Sequence, residues 1–275
     1  MQICKVDSTQ GRGALPHKTD VRDYKLVAMV SQYPDSYQLP FLPPVKNQGN
    51  VSSCVAHATS QILEYFAQKE LGDFIPLSTD FIYGMQGVLF ERLDSGMFLR
   101  DACKIVKEYG DCAKDTIPTN TEQPKCTKRL EETLTDAIYA EAANFRTASY
   151  AFCKGDNAVK HALINYGPVL GSAKWYDDYL IDDNNVIVFD KSSDYGYHAI
   201  MVYGWNEHGW LCQNSWGKRW NKNGLFVLPF GDLFEAWSFV DAEGPDVVKP
   251  RRNSLFDIIY KIINRIINLV RGLTK

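Results

Sequence analysis

Pro44-Val45-Lys46-Asn47-Gln48-Gly49-Asn50-Val51-Ser52-Ser53-Cys54-Val55-Ala56 is the stretch on which the fold of this chain turns. It opens with proline and turn-forming polar residues and then passes into an apolar pattern of helical period. Val55, Ala58, Ile62, Leu63, Phe66 and Ala67 fall at that spacing, and the spacing predicts a helix from Ser52 to about Glu70, with Ser52 or Ser53 as its cap. Cys54 then stands at a helix N-terminus, where unpaired N–H groups and partial positive charge favour a thiolate. Taken alone, a cysteine on an amphipathic helix is more often an inert core thiol. The rest of the chain has to decide.

Working outward, residues 1–40 are rich in Pro, Asp, Ser and Tyr without periodicity, and read as an extended arm over the surface. Further helices are expected at Ser78–Leu89, capped by Ser78, at Leu99–Tyr109 and at 156–166, the last stopped by Gly167-Pro168. The polar segment Asp111–Thr127 reads as a loop. After residue 168 the period changes to two, and Val186–Phe189, His198–Gly204, Gly209–Gln213 and Gly224–Pro229 become short strands. Helices first and strands second give an α+β fold in two lobes, helical over about 50–140 and β-rich over about 141–240.

The composition excludes several classes. The chain has 275 residues, 45% hydrophobic and 23% charged, with a net charge of −3, so neither wholesale disorder nor a nucleic-acid partner for the whole chain is indicated. Residues 251–275 carry six basic and one acidic side chain, net +5, which leaves −8 to the other 250. No basic and apolar leader is visible at the N-terminus and no apolar run is long enough to span a bilayer, so a cytoplasmic setting is expected. Seven cysteines, an odd number, point to thiols in a reducing compartment. Cys103, Cys112, Cys126 and Cys153 lack the short spacing of a zinc knuckle, and no metal or cofactor is expected.

Two more polar clusters join the first: Tyr197-His198-Ala199-Ile200, and Gln213-Asn214-Ser215-Trp216-Gly217 after a predicted strand. A thiol nucleophile needs a base, the base an orienting group, and the oxyanion a donor. Cys54, His198, Asn214 and Gln48 offer one residue type for each role. His57, one turn along the same helix, is a rival base and is better read as a packing residue.

Those clusters, with Gly167-Pro168-Val169 and Asn223-Gly224, resemble the papain-like cysteine peptidases, in the order Gln, Cys, His, Asn. Cys54 precedes His198 by 144 residues and Asn214 by 160, close to the family's roughly 130–150. The resemblance covers about residues 40–240. It implies a papain-like domain over 41–245, with a helical left lobe, a β-barrel-like right lobe and the cleft between them. It implies peptide-bond hydrolysis through an acyl-enzyme on a peptide or protein substrate. Cys54 would be the nucleophile, His198 the base, Asn214 its orienter and Trp216 a shield, with Gln48 and the Cys54 N–H forming the oxyanion hole.

The departures from the pattern are specific. Val51 and Ser52 replace the usual disulfide cysteine and glycine before the nucleophile, and Val55 replaces the tryptophan after it. The paired cleft glycines are reduced to Gly96, which would offer backbone hydrogen bonds to substrate, with Met97 and Phe98 walling an apolar pocket. The short arm ahead of the domain resembles the compact bacterial and viral members, so no long propeptide is expected. Residues 1–15, flexible around Gly11-Arg12-Gly13, are expected to occlude the cleft in part. Two rival readings stand beside the peptidase: a papain-fold acyl transferase and a catalytically silent peptide- or membrane-binding member.

Residues 250–275 are expected to form a separate basic amphipathic helix. Leu255, Ile259, Ile262, Ile266 and Val270 lie on one half, and Lys261, Arg265 and Arg271 on the other. Docking on its own domain, a membrane surface, and self-association or a partner groove are the three readings of this helix. The oligomeric state is not legible.

Overall fold

Cys54–Leu71 folds as one long helix, α1, and every residue from Cys54 to Ala67 is buried, which marks it as a central rather than a surface helix. It lies in a computed structural model that describes residues 2–6, 10–16, 20, 23–27, 32–92, 95–119 and 126–241. The expected C-terminal helix over 250–275 falls outside the described residues.

Ahead of α1 run four short strands: β1 (Gln2–Lys5), β2 (Ala14–Leu15), β3 (Lys25–Leu26) and β4 (Tyr37–Gln38). Among the described residues these strands pair the arm into the fold at four places. After α1 come α2 (Thr79–Phe90), β5 (Met97–Phe98), α3 (Leu99–Glu108), α4 (Cys126–Thr133) and α5 (Asp136–Ala142). Ser78 caps α2 as expected, its Oγ accepting the Phe81 N–H at 3.1 Å. Ser53 does not cap α1 by side chain, and its Oγ is turned toward His57 instead.

The second half contributes β6 (Thr147–Cys153), α6 (Asp156–Asn165), β7 (Val169–Tyr176), β8 (Asp178–Ile181), β9 (Ile187–Phe189), β10 (Tyr195–Asn206), β11 (Gly209–Gln213), β12 (Leu225–Leu228) and β13 (Leu233–Asp241). The main sheet runs β12-β11-β10-β7-β13-β6-β3, with β4 added beside β10, and β1-β8-β9 form a smaller sheet. Pairing is antiparallel throughout the main sheet except where β3 joins β6. The end strands β12 and β3 are not paired with each other, so the expected barrel-like lobe is an open sheet among the described residues.

The sheet separates two cores. Along β10, Ala199, Met201 and Tyr203 join the core of α1, α2 and α3. Ile200, Val202 and Trp205 join a second core with α6, Trp175, Trp210 and Phe226. Successive side chains of a strand point to opposite faces, so β10 is apolar on both and lies between the lobes. That position brings His198 and Ala199, near the start of β10, beside Cys54 at the start of α1.

Candidate active site

α1 begins at Cys54 itself, and the backbone N–H of Ala199, next to His198 on β10, is directed at the Cys54 sulfur. His198 is buried, and its Nε2 lies 2.7 Å from Asn214 Oδ1. The Ser215 N–H also donates to that Asn214 oxygen, at 2.7 Å. An atom that accepts an amide proton is the carbonyl oxygen, so Nε2 of His198 carries hydrogen and Nδ1 keeps the lone pair. Nδ1 is buried with no hydrogen-bond partner among the described residues.

Aromatic rings close over this pair. The Trp216 ring lies 4.5 Å from the His198 ring at 32°, and Trp175 meets the same imidazole edge-on at 5.0 Å. Trp175 also packs against Trp216 at 4.9 Å. These rings keep water from the His198–Asn214 hydrogen bond, which strengthens it.

Gln48 reaches the site through a short antiparallel pairing. Its N–H donates to Ser215 O at 2.8 Å, and Gly217 N–H donates to Lys46 O at 2.9 Å. Ser215 Oγ donates to Gln48 Oε1 at 2.5 Å, which fixes the amide orientation and leaves Nε2 as the donor. Nε2 donates to Val51 O at 2.7 Å and to the Gly11 carbonyl oxygen at 3.0 Å. Lys46 anchors the segment to α1 through a buried ion pair with Glu64 at 2.6 Å and a bond to Leu77 O at 2.9 Å.

The N-terminal arm passes through the middle of this arrangement. The Gly11 oxygen also accepts from Trp216 Nε1 at 3.0 Å, and the Gly11 N–H donates to Gly49 O at 2.9 Å. The N–H groups of Gly13 and Ala14 face the Cys54 sulfur. Gly13 O accepts from the Met97 N–H at 2.7 Å, and β2 continues parallel to β5 with Ala14 beside Met97 and Leu15 beside Phe98. The approach is too close for side chains: a Cβ on Gly11 would lie 2.2 Å from Val51 O, and one on Gly13 2.0 Å from Ser52 O.

Burial raises the pKa of the Cys54 thiol, partly offset by the surrounding N–H groups of Ala199, Gly13, Val55 and Ala14. Burial lowers His198 to about 4; the Asn214 bond opposes the shift and the Arg12 charge adds to it. Under the arm, thiol and imidazole are therefore both neutral. His57 is also buried and lowered to about 3, with its Nδ1 held against Ser53 at 3.1 Å and 3.0 Å. It packs on its own helix.

Gly96, at φ +96°, faces the arm: a Cβ there would lie 2.5 Å from Gly13 O. The Met97 side chain is fully buried in the helical core, so Met97 meets the arm through its backbone. Phe98 is half-buried, with the Arg92 guanidinium 4.2 Å over its ring. The arm is expected over the cleft, but the sequence reading gives no role to the Arg12 side chain and does not single out Trp175 or Asp177. Arg12 Nη1 donates to Asp177 Oδ1 at 2.6 Å and to Trp175 O at 2.9 Å. The two glycines flanking Arg12 were the available signal of a segment built for close approach. Among the described residues no group of His, Cys, Asp and Glu side chains converges as a metal-binding set.

A model of the papain family cysteine proteases matches residues 34–232. The chain belongs to that family. Among solved structures, xylellain, a cysteine protease from Xylella fastidiosa, superposes with a TM-score of 0.71 at 23% identity, covering 87% of this chain and 99% of that one. The procathepsin B S9 of Trypanosoma congolense gives 0.65 at 18% identity over 84% and 87%. These likenesses speak for the papain-like fold. In sequence, the chain is 30% identical over 124 residues to cathepsin B-like cysteine proteinase 6 of Caenorhabditis elegans, covering 44% of this chain and 32% of that protein. It is 27% identical to mouse Testin-2 over 72% and 60% of the two chains. The chain spans about a third to just under two-thirds of the length of the curated relatives it matches.

Proposed function

We propose that this chain is a cysteine endopeptidase acting on peptide or protein substrates. Cys54 serves as nucleophile, His198 as general base and acid through Nδ1, Asn214 as its orienting group, and Gln48 Nε2 with the Cys54 N–H as oxyanion donors. The thiolate adds to the substrate carbonyl carbon, and the oxygen takes up negative charge against those donors. His198 then gives its proton to the departing amine, leaving a thioester on Cys54. His198 next removes a proton from water, which attacks the thioester and releases the acid.

The observation that carries this reading is the Gly11 carbonyl oxygen, gripped by Gln48 Nε2 and Trp216 Nε1 beside a cysteine that opens a helix. A peptide carbonyl already sits at the donor assigned to the oxyanion. The arm also supports a resting state in which residues 11–15 cover the cleft. The N–H groups of Gly13 and Ala14, turned to the Cys54 sulfur, fill the approach that a substrate would use. Release of the arm would readmit water and remove the Arg12 charge, and both changes favour the thiolate–imidazolium pair.

Incubation with an unstructured protein substrate tests the reading. New N-termini in the products, absent with Cys54→Ala, are expected. Products joined to an added amine would favour the transferase, and tight peptide binding without turnover the silent binder.

A further inference from the structure

Arg12 occupies a built cradle rather than a chance ion pair. Its Nη1 is shared by the Asp177 carboxylate at 2.6 Å and the Trp175 carbonyl at 2.9 Å. Its Cδ, Nε and Cζ lie 3.6, 3.4 and 3.4 Å from where a Cβ on Gly196 would stand, so the guanidinium end lies against a glycine floor on β10. Both acceptors are fixed from behind. The Asp177 N–H donates to Asp194 O at 2.8 Å and Asp177 O accepts from Val6 N–H at 3.0 Å, while the Trp175 ring is locked among His198, Trp216 and Phe226. The cradle adjoins the reacting groups, because Gly11, the preceding residue, holds its oxygen on Gln48 and Trp216.

We propose that this cradle is a substrate subsite on the Trp216 side of Cys54, opposite β5, that takes a basic side chain, and that Asp177 sets the preference. The inference rests on the peptidase reading above. A planar guanidinium suits the cradle better than an ammonium, since it can lie on the Gly196 floor while donating to two acceptors, so arginine ranks above lysine. Two acceptors and a glycine floor together discriminate between incoming side chains more sharply than the ion pair alone would.

The test uses the full chain carrying Arg12→Ala, which empties the cradle, and Gly13→Val, which cannot seat the arm against Ser52 O, in a Cys54→Ala background for binding and with Cys54 intact for turnover. Two fluorescein-labelled peptides are compared by anisotropy, Gly-Arg-Gly-Ala-Leu and the same sequence with Gln for Arg. About tenfold tighter binding of the arginine peptide is expected, falling to within twofold when Asp177→Asn is added. In a peptide library, turnover by Arg12→Ala/Gly13→Val is expected to favour substrates with Arg, with the preference lost when Asp177→Asn is added. Equal binding of the two peptides, or no binding of either, overturns the subsite. A clear arginine preference in binding without Cys54-dependent turnover would keep the subsite and reject the peptidase reading.

Discussion

Gln48 Nε2 donates to the carbonyl oxygen of Gly11 at 3.0 Å, across 37 residues of sequence. The amide is held in that sense by Ser215, so the donor faces the cleft whether or not the arm is there. Two roles meet in one hydrogen bond: the donor proposed for the oxyanion, and the anchor of the segment that passes Cys54.

Enlarging the arm should therefore expose the cysteine. Gly13→Val places a side chain where even a Cβ would lie 2.0 Å from Ser52 O. The account predicts that Cys54 in this variant reacts with a papain-directed epoxide at least tenfold faster than in the unaltered chain, measured by intact mass against time.

Gln48→Ala should lower kcat by roughly 10²-fold or more, the scale for one oxyanion donor, with a smaller effect on KM. Because the same change frees the arm, epoxide labelling of Cys54 should not slow in parallel. Steady-state kinetics and labelling rates on one preparation separate the two roles.

Acid should destabilise the fold through buried histidines. His198 and His57 are lowered to about 4 and about 3 from an ordinary value of 6.5. Between about pH 6.5 and those values, the unfolded chain binds protons that the folded chain does not, so stability rises with pH across that window and is lost as pH falls. Thermal unfolding from pH 7 to pH 4 should show this decline, and His57→Ala should flatten it.

The Lys46–Glu64 pair fixes the Gln48 segment against α1 with little access to water. Glu64→Leu would leave Lys46 buried without its partner, and a loss of about 3–5 kcal/mol is expected by denaturant titration. The double variant Lys46→Met/Glu64→Leu should recover the part of that loss owed to the uncompensated charge, but not the part owed to the Leu77 N–H, which loses Glu64 Oε1 as its acceptor at 2.8 Å.

Much of the fold was legible where one face of an element is polar or one signal is strong. Ser78 announced α2, and the alternation at 209–213 gave β11 at its observed bounds, Gly209–Gln213. β7 and β13 were not read, because they are central strands packed on both faces, with Val169 in one core and Leu170 in the other, and so carry no alternation. β6 was passed over, as were α4 and α5, which are short and weakly patterned. Cys54, His198, Asn214 and Gln48 were legible from their clusters and order. Gly11-Arg12-Gly13 reads in sequence as a flexible part of an arm over the cleft, since glycine locally signals freedom; here the glycines permit close contact with Val51 and Ser52, and Arg12 meets an Asp177 that lies 165 residues away.

The central claim is that Cys54 is an activated nucleophile beneath a removable arm. Intact-mass analysis after treatment with a papain-directed epoxide tests it most directly, on the full chain, on Gly13→Val and on Cys54→Ala. The account predicts a single adduct that forms slowly on the full chain, quickly on Gly13→Val, and not at all on Cys54→Ala. A folded Gly13→Val chain that stays unmodified, or an adduct that persists in Cys54→Ala, would contradict it.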